Sequence, residues 1–188
     1  PDLKIVLLML FLVGTFGLNF PIFISTMAVS VFHAGAGQYG LLTSMMAAGS
    51  VSGALLAAAR ARPGIPLLLI AAAMFGVTCA AAAAAPSYLT FGLALYAIGV
   101  AAQTFTTSTN SLAQVTTEPH MRGRVIAILL AIALGGTPIG APIVGWVVDH
   151  FGPRWALCVG AASGILAAAI AGLYLAERRQ PNADAGPA

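Results

Sequence analysis

The stretch that decides the fold is "GWVVDHFGPR", residues 145–154, which stands between two long apolar runs. It holds an aspartate, a histidine, two glycines, a proline and an arginine within ten residues. Glycine and proline are typical of tight turns, and charged side chains favour water. The stretch therefore predicts a short polar turn that joins two apolar helices.

The composition of the whole chain indicates a membrane protein. Of its 188 residues, 60% are hydrophobic and only 7% are charged. A soluble domain has about a quarter charged residues, and about 20 apolar residues in a helix cross a bilayer. A β-barrel would instead show many short alternating segments. We therefore expect an all-α integral membrane protein with the lipid bilayer as its surroundings.

Six apolar runs have the length of a spanning helix, and Gly, Pro and polar residues separate them. They cover about 5–30, 39–59, 65–85, 88–113, 124–148 and 154–176. We expect one six-helix bundle over residues 1–180. The tail at 181–188 has no apolar face, so we expect it to be disordered and cytoplasmic.

The basic residues predict the direction of the spans. With six spans, both termini lie on one side, and that side carries seven of the eight Lys and Arg residues, with Arg154 on the other. Positive charge marks the cytoplasmic side, so we expect both termini in the cytoplasm. The Ala-rich composition favours a bacterial inner membrane, and no nucleic-acid partner is expected. The seven residues are Lys4, Arg60, Arg62, Arg122, Arg124, Arg178 and Arg179.

An internal similarity predicts two inverted three-helix repeats. "GALLAAARAR" at 53–62 and "GWVVDHFGPR" at 145–154 both begin with Gly and end with Arg, and each closes the second span of a triplet. The two stretches would lie on opposite sides of the membrane, as inverted repeats require. The alternative is that many helix ends carry Gly and Arg.

The pattern G-x-x-x-D-x-x-G-x-R, on Gly145, Asp149, Gly152 and Arg154, resembles the loop motif of the major facilitator superfamily. "GGTPIGAPIVG" (135–145) resembles the fifth helix of a facilitator half, a pattern noted in exporters. "EPHMRGRV" (118–125) and "QYGLLTSMMAAGSVSGALL" (38–56) are similar to the loop before that helix and to the second helix. The resemblance implies half of a twelve-helix fold, the C-terminal half. The expected partner is a second six-helix half, either a missing N-terminal half or a second copy.

Two interpretations of the loop motif remain open. Asp149 can accept hydrogen bonds from the N–H groups that begin the next helix, and the motif is then only a well-capped turn. Alternatively, Asp149 and Arg154 hold neighbouring helices in one access state and release them in the other, as the resemblance favours. Arg122 and Arg124 on the cytoplasmic loop are either interface anchors or partners for acids of the other half.

Polar residues within the spans predict a substrate cavity, because such residues usually face a cavity or another helix. One helical stripe lies in the fourth span, and a second set shares a face of the first span. Pro21 is expected to kink the first span, and Pro138 and Pro142 to bend the fifth. Tight helix–helix contact is the alternative role for the hydroxyls. The cavity residues are Thr15, Asn19, Thr26, Gln103, Thr107, Asn110 and Gln114.

These features favour half of a secondary transporter that exports small amphipathic or hydrophobic solutes by alternating access. No span holds a carboxylate, so a proton-coupling residue would lie on the partner half. We expect no enzyme, cofactor or metal, because no nucleophile–base pair or ligand cluster stands at one depth. The alternatives are a six-helix pore, although the loops are too short to re-enter the membrane, or a scaffold that transports nothing.

Overall fold

The computed structural model describes residues 2–59 and 64–179, and over these ranges the protein is built from helices. Six helical segments are long and apolar enough to cross a membrane, which confirms the predicted fold class. Arg60, Arg62 and the tail at 181–188 lie outside the described residues. The α-helices are α1 (Asp2–Leu12), α2 (Phe20–Thr26), α3 (Ala36–Ala58), α4 (Ile65–Ala83), α5 (Tyr88–Thr116), α6 (Arg122–Phe151) and α7 (Pro153–Arg179).

The first span, Leu3–Val31, is a broken helix. A π-helical turn at Val13–Gly17 follows α1, and a second one at Met27–Val31 follows α2. Leu18 and Asn19 between α1 and α2 are not helical. Pro21 lies in the first turn of α2, where its missing N–H removes no hydrogen bond from the helix. α6, by contrast, is helical through both Pro138 and Pro142.

The turn between α6 and α7 is a single residue, Gly152. Its φ of 94° and ψ of 167° belong to a region that glycine alone adopts without strain. Pro153 then begins α7, a position that proline favours because no intrahelical partner is needed there. The sequence therefore determines a sharp reversal at this point.

Contacts between the spans repeat when the first three spans are exchanged for the last three. α3 packs along α5, and in the same way α6 packs against the π-helical turn Val13–Gly17. α4 packs along α5, as α7 packs along α1 and the same π-helical turn, while α4 and α7 pack on each other. Two inverted three-helix repeats give this pattern of neighbours.

α3 and α6 are the least buried spans. In α3 and in the span that contains α6, only 17% of the most apolar 18-residue stretch is buried. In each of the other four spans the buried share is 44%. Large side chains fill the interior between the remaining helices, among them Phe23, Phe75, Phe91 and Phe105. Two helices of the bundle thus present most of their surface outward.

Candidate transport face

The polar stripe on α5 passes from the bundle interior to its surface. Gln103 and Thr107 are half-buried, and the Gln103 Nε2 donates to the Thr107 Oγ1 at 3.2 Å. Asn110 and Gln114 are exposed, and neither side chain has a hydrogen-bond partner among the described residues. Two amides are therefore free to meet water, a solute or another polypeptide.

Four other hydroxyls near the stripe on α5 are bonded within the bundle or buried. The Thr104 Oγ1 and the Thr106 Oγ1 donate to carbonyls of their own helix. The Ser108 Oγ and the Thr109 Oγ1 are buried without a partner. Spacing alone gave no sign of Thr109, because it lies about 120° around α5 from the stripe.

Thr15 and Asn19 lie inside the bundle, with 0% and 1% of their surfaces exposed. The expectation that they line an accessible cavity is therefore wrong in this conformation. The Asn19 Nδ2 donates to the Thr15 carbonyl at 2.8 Å, across the break between α1 and α2. The Thr15 Oγ1 and the Asn19 Oδ1 have no partner.

Thr26, the third expected residue of the first span, is half-buried and its hydroxyl is already satisfied. The Thr26 Oγ1 donates to the Ile22 carbonyl at 2.6 Å, within α2. The hydroxyl proton of Thr26 is thus used within its own helix.

A glycine pair on α6 explains why the first span is sealed at Thr15. A methyl group at Gly140 would collide with the Thr15 carbonyl, and one at Gly136 would meet the Thr15 Oγ1. Small residues one turn apart allow backbones to approach closely in membranes. α6 therefore lies directly on the break of the first span.

The same contact recurs in the other repeat. A methyl group at Gly53 would collide with the Val100 carbonyl of α5. That carbonyl accepts from the Thr104 Oγ1 at 2.7 Å, as the Thr15 carbonyl accepts from Asn19. Gly53 therefore corresponds in packing to Gly140. The sequence similarity paired it with Gly145, where a Cβ would have no neighbour within 4 Å.

The loop motif forms no ion pair in this conformation. Asp149 is exposed in the last turn of α6, and no contact with Arg154 is within 4.0 Å. Asp149 accepts no hydrogen bond from α7, so it does not cap that helix in this conformation. Because α6 continues to Phe151, Asp149 lies on the side of α6 rather than in the turn before α7. The Arg154 Nη2 instead donates to the Ala85 carbonyl at 3.2 Å, just beyond the end of α4.

Arg122 and Arg124, which the sequence placed in a loop, are exposed in the first turn of α6. The Arg122 Nε donates to the Thr117 carbonyl at 3.4 Å, close to the end of α5. Arg124 is exposed on the first turn of α6. Glu118 pairs with His120 at 3.4 Å and with neither arginine. The two arginines at the start of α6 are thus available to an acid from outside the described residues.

A groove of about 470 Å³ lies between α2 and α3. Pro21, Ile24 and Met46 give it apolar walls, and Thr43 and Ser50 place hydroxyls along it. Both hydroxyl residues belong to α3, one of the two least buried spans. The groove therefore opens on the outward side of the bundle and has a mainly apolar lining.

Comparisons with known proteins agree with this architecture. The sequence pattern of the Major Facilitator Superfamily matches residues 5–188. A bacterial homologue of the human lysosomal transporter Spinster, solved in an inward-facing and occupied conformation, has a similar fold, with a TM-score of 0.67 and 17% sequence identity. The similarity covers 92% of this chain but only 42% of that one. No curated protein matches the chain.

Proposed function

The chain belongs to the major facilitator superfamily, and from this premise we propose that it is one half of a secondary transporter that works by alternating access. A second six-helix half would complete the transporter. The chain spans 42% of the related solved structure, a fraction that is consistent with one half. That half is either an N-terminal region or a second copy of this chain.

The polar stripe on α5 is the observation that carries the proposal. Exposed amides at membrane depth are costly in lipid and usually border water or protein. Asn110 and Gln114 are exposed amides on a helix long enough to span the membrane, and both lack partners among the described residues. We assign Gln103, Thr107, Asn110 and Gln114 to one wall of the solute route.

The two least buried spans supply the surface for the second half. α3 and α6 flank the core on the outward side, and each belongs to a different repeat. Arg122 and Arg124, in the first turn of α6, would meet acids of the second half on the cytoplasmic side. The topology, with both termini cytoplasmic in a bacterial inner membrane, is part of the same proposal.

The chemistry of the described surface favours amphipathic or hydrophobic solutes. No Asp, Glu, Lys or Arg stands within α5, and the groove between α2 and α3 combines apolar walls with hydroxyls. An anionic substrate would need a fixed cation along this route. We propose export as the direction, because the Gly- and Pro-rich α6 is similar to the fifth helix of exporter halves.

Asp149 and Arg154 are proposed to pair only in another access state. In this conformation they are separate, and Arg154 is bonded to the end of α4. A pair that forms in one state and breaks in the other biases the equilibrium between the two states.

Cysteine accessibility tests the proposed route. We expect Asn110→Cys and Gln114→Cys to react with a charged, water-soluble methanethiosulfonate in native membranes, and a transported solute to change the rate. Val77→Cys is the matched control, because Val77 is 63% exposed on α4 but has no polar neighbours in the stripe. Equal, slow labelling of all three cysteines would contradict a water-filled route. Steady single-channel currents in planar bilayers would favour a pore instead.

A further inference from the structure

Two grooves meet at the first turns of α7, away from the residues assigned to the proposed route. One, of about 240 Å³, lies between α4 and α7 and is lined by Ala80, Ala83, Ala84, Arg154, Trp155 and Cys158. The other, of about 430 Å³, lies between α6 and α7 and is lined by Val147, Phe151, Trp155, Cys158, Val159 and Ala162. Trp155 and Cys158 belong to both and form the ridge between them.

The shape of the grooves follows from side-chain size. The alanine run that ends α4 has only methyl groups, whereas the Trp155 indole stands out from α7 and is 59% exposed. Because the large indole stands beside small side chains, a furrow is left on either side of it. Since these helices span the membrane, lipid tails are the neighbours that such apolar furrows meet.

Arg154 lines the first furrow, and its guanidinium has no acidic partner among the described residues. One of its N–H groups, on Nη2, donates to the Ala85 carbonyl, and no other partner of the guanidinium lies among the described residues. It is the only described Lys or Arg on this end of the bundle, since the others fall on the opposite ends of their helices. A guanidinium is well suited to a phosphate, because its planar N–H groups can bind two oxygens together.

We propose that Arg154 and the two furrows form a binding site for a diacyl phospholipid. The phosphate binds the free N–H groups of Arg154, and one acyl chain lies in each furrow, with the Trp155 indole between them. One cation on the first of two apolar furrows that share Trp155 and Cys158 matches one phosphate with two chains. Asp149, the nearest acid in the sequence, makes no ion pair that would neutralise Arg154.

The two cysteines provide the test. Cys158 is exposed and lines both furrows, whereas Cys79 is buried and reports whether the protein is folded. The full-length protein, with any further cysteine replaced, is purified in detergent and reacted with N-ethylmaleimide. We expect dioleoyl phosphatidylglycerol to slow the labelling of Cys158 by about fivefold at saturating lipid, while Cys79 stays unreactive.

Two comparisons decide the role of the phosphate. Arg154→Gln should abolish the protection, and the matched charge removal Arg124→Gln, at the other end of the bundle, should retain it. Dioleoylglycerol, which has the same chains and no phosphate, and inorganic phosphate alone should each protect Cys158 little. Equal protection by dioleoylglycerol, or full protection in a folded Arg154→Gln protein with unreactive Cys79, would overturn the proposal.

Discussion

The carbonyl oxygen of Thr15 lies so close to Gly140 that no side chain fits between the first span and α6. The same carbonyl accepts a hydrogen bond from the Asn19 Nδ2. One oxygen therefore takes part both in the hydrogen bond across the break in the helix and in the contact between the repeats. Val100 and Gly53 make the corresponding contact between α5 and α3. At two related points, a glycine of one repeat thus packs directly on a backbone carbonyl of the other.

Gly140→Ala should destabilise the protein. The added methyl group meets backbone atoms, which cannot move away as a flexible side chain does, so we expect a loss of about 1–3 kcal/mol. Thermal unfolding in detergent measures it. Gly135→Ala is the control, because Gly135 lies in the same helix and a Cβ there would have nothing within 4 Å. Equal melting temperatures for the two variants would contradict the close contact.

Gly53→Ala should have a similar cost, because its methyl group meets the Val100 carbonyl. The same melting experiment applies, with Gly40→Ala as the control in an open part of α3. The contacts share no residue, so the losses for Gly53→Ala and Gly140→Ala should add to within about 0.5 kcal/mol. A double variant no less stable than either single one would argue against two separate contacts.

Asn110→Leu should reduce transport without affecting stability. Leucine has the branched shape of asparagine but offers no hydrogen bond, and the loss of one such bond costs up to about tenfold in rate or affinity. Export of ethidium from cells that express the protein is the measurement. Thr78→Val, which removes a hydroxyl bonded to its own helix on α4, should leave export unchanged. Parallel effects of both variants would remove Asn110 from the solute route.

Asp149→Asn should leave the melting temperature within about 1 °C of the parent, because Asp149 has no partner that it would lose. If it pairs with Arg154 in another access state, the rate of ethidium export should still fall. The double variant Asp149→Asn/Arg154→Gln should then be no slower than the slower single variant. Unchanged export in Asp149→Asn would show that the carboxylate has no part in the cycle.

Composition and run length were enough to predict six spans, since lipid allows few ways to satisfy the backbone. The stripe on α5 could also be predicted, because α5 is one continuous helix and its period of 3.6 residues holds from Gln103 to Gln114. The same period fails in the first span. There, a π-helical turn and two non-helical residues separate Thr15 from Thr26, so a shared face is lost.

The packing partners could not be predicted from the loop motif. The pairs Gly49–Gly53 and Gly136–Gly140 each carry the spacing G-x-x-x-G, which is the signal that marks the contacts between repeats. The sequence similarity between 53–62 and 145–154 paired Gly53 with Gly145, whereas the packing pairs it with Gly140. The position of Asp149 was missed for a related reason: nothing before Gly152 stops α6, so the helix is longer than its apolar run.

The outward surfaces of α3 and α6 have a consequence for assembly. Acyl tails are as apolar as leucine, so isoleucines and valines on these two helices gain little by leaving lipid for protein. Asn110 and Gln114 differ, because hydrocarbon gives an amide nothing to bond. A companion bundle that docks on α3 and α6 therefore helps by keeping lipid away from these two amides of α5, and close fit between small residues decides where it docks.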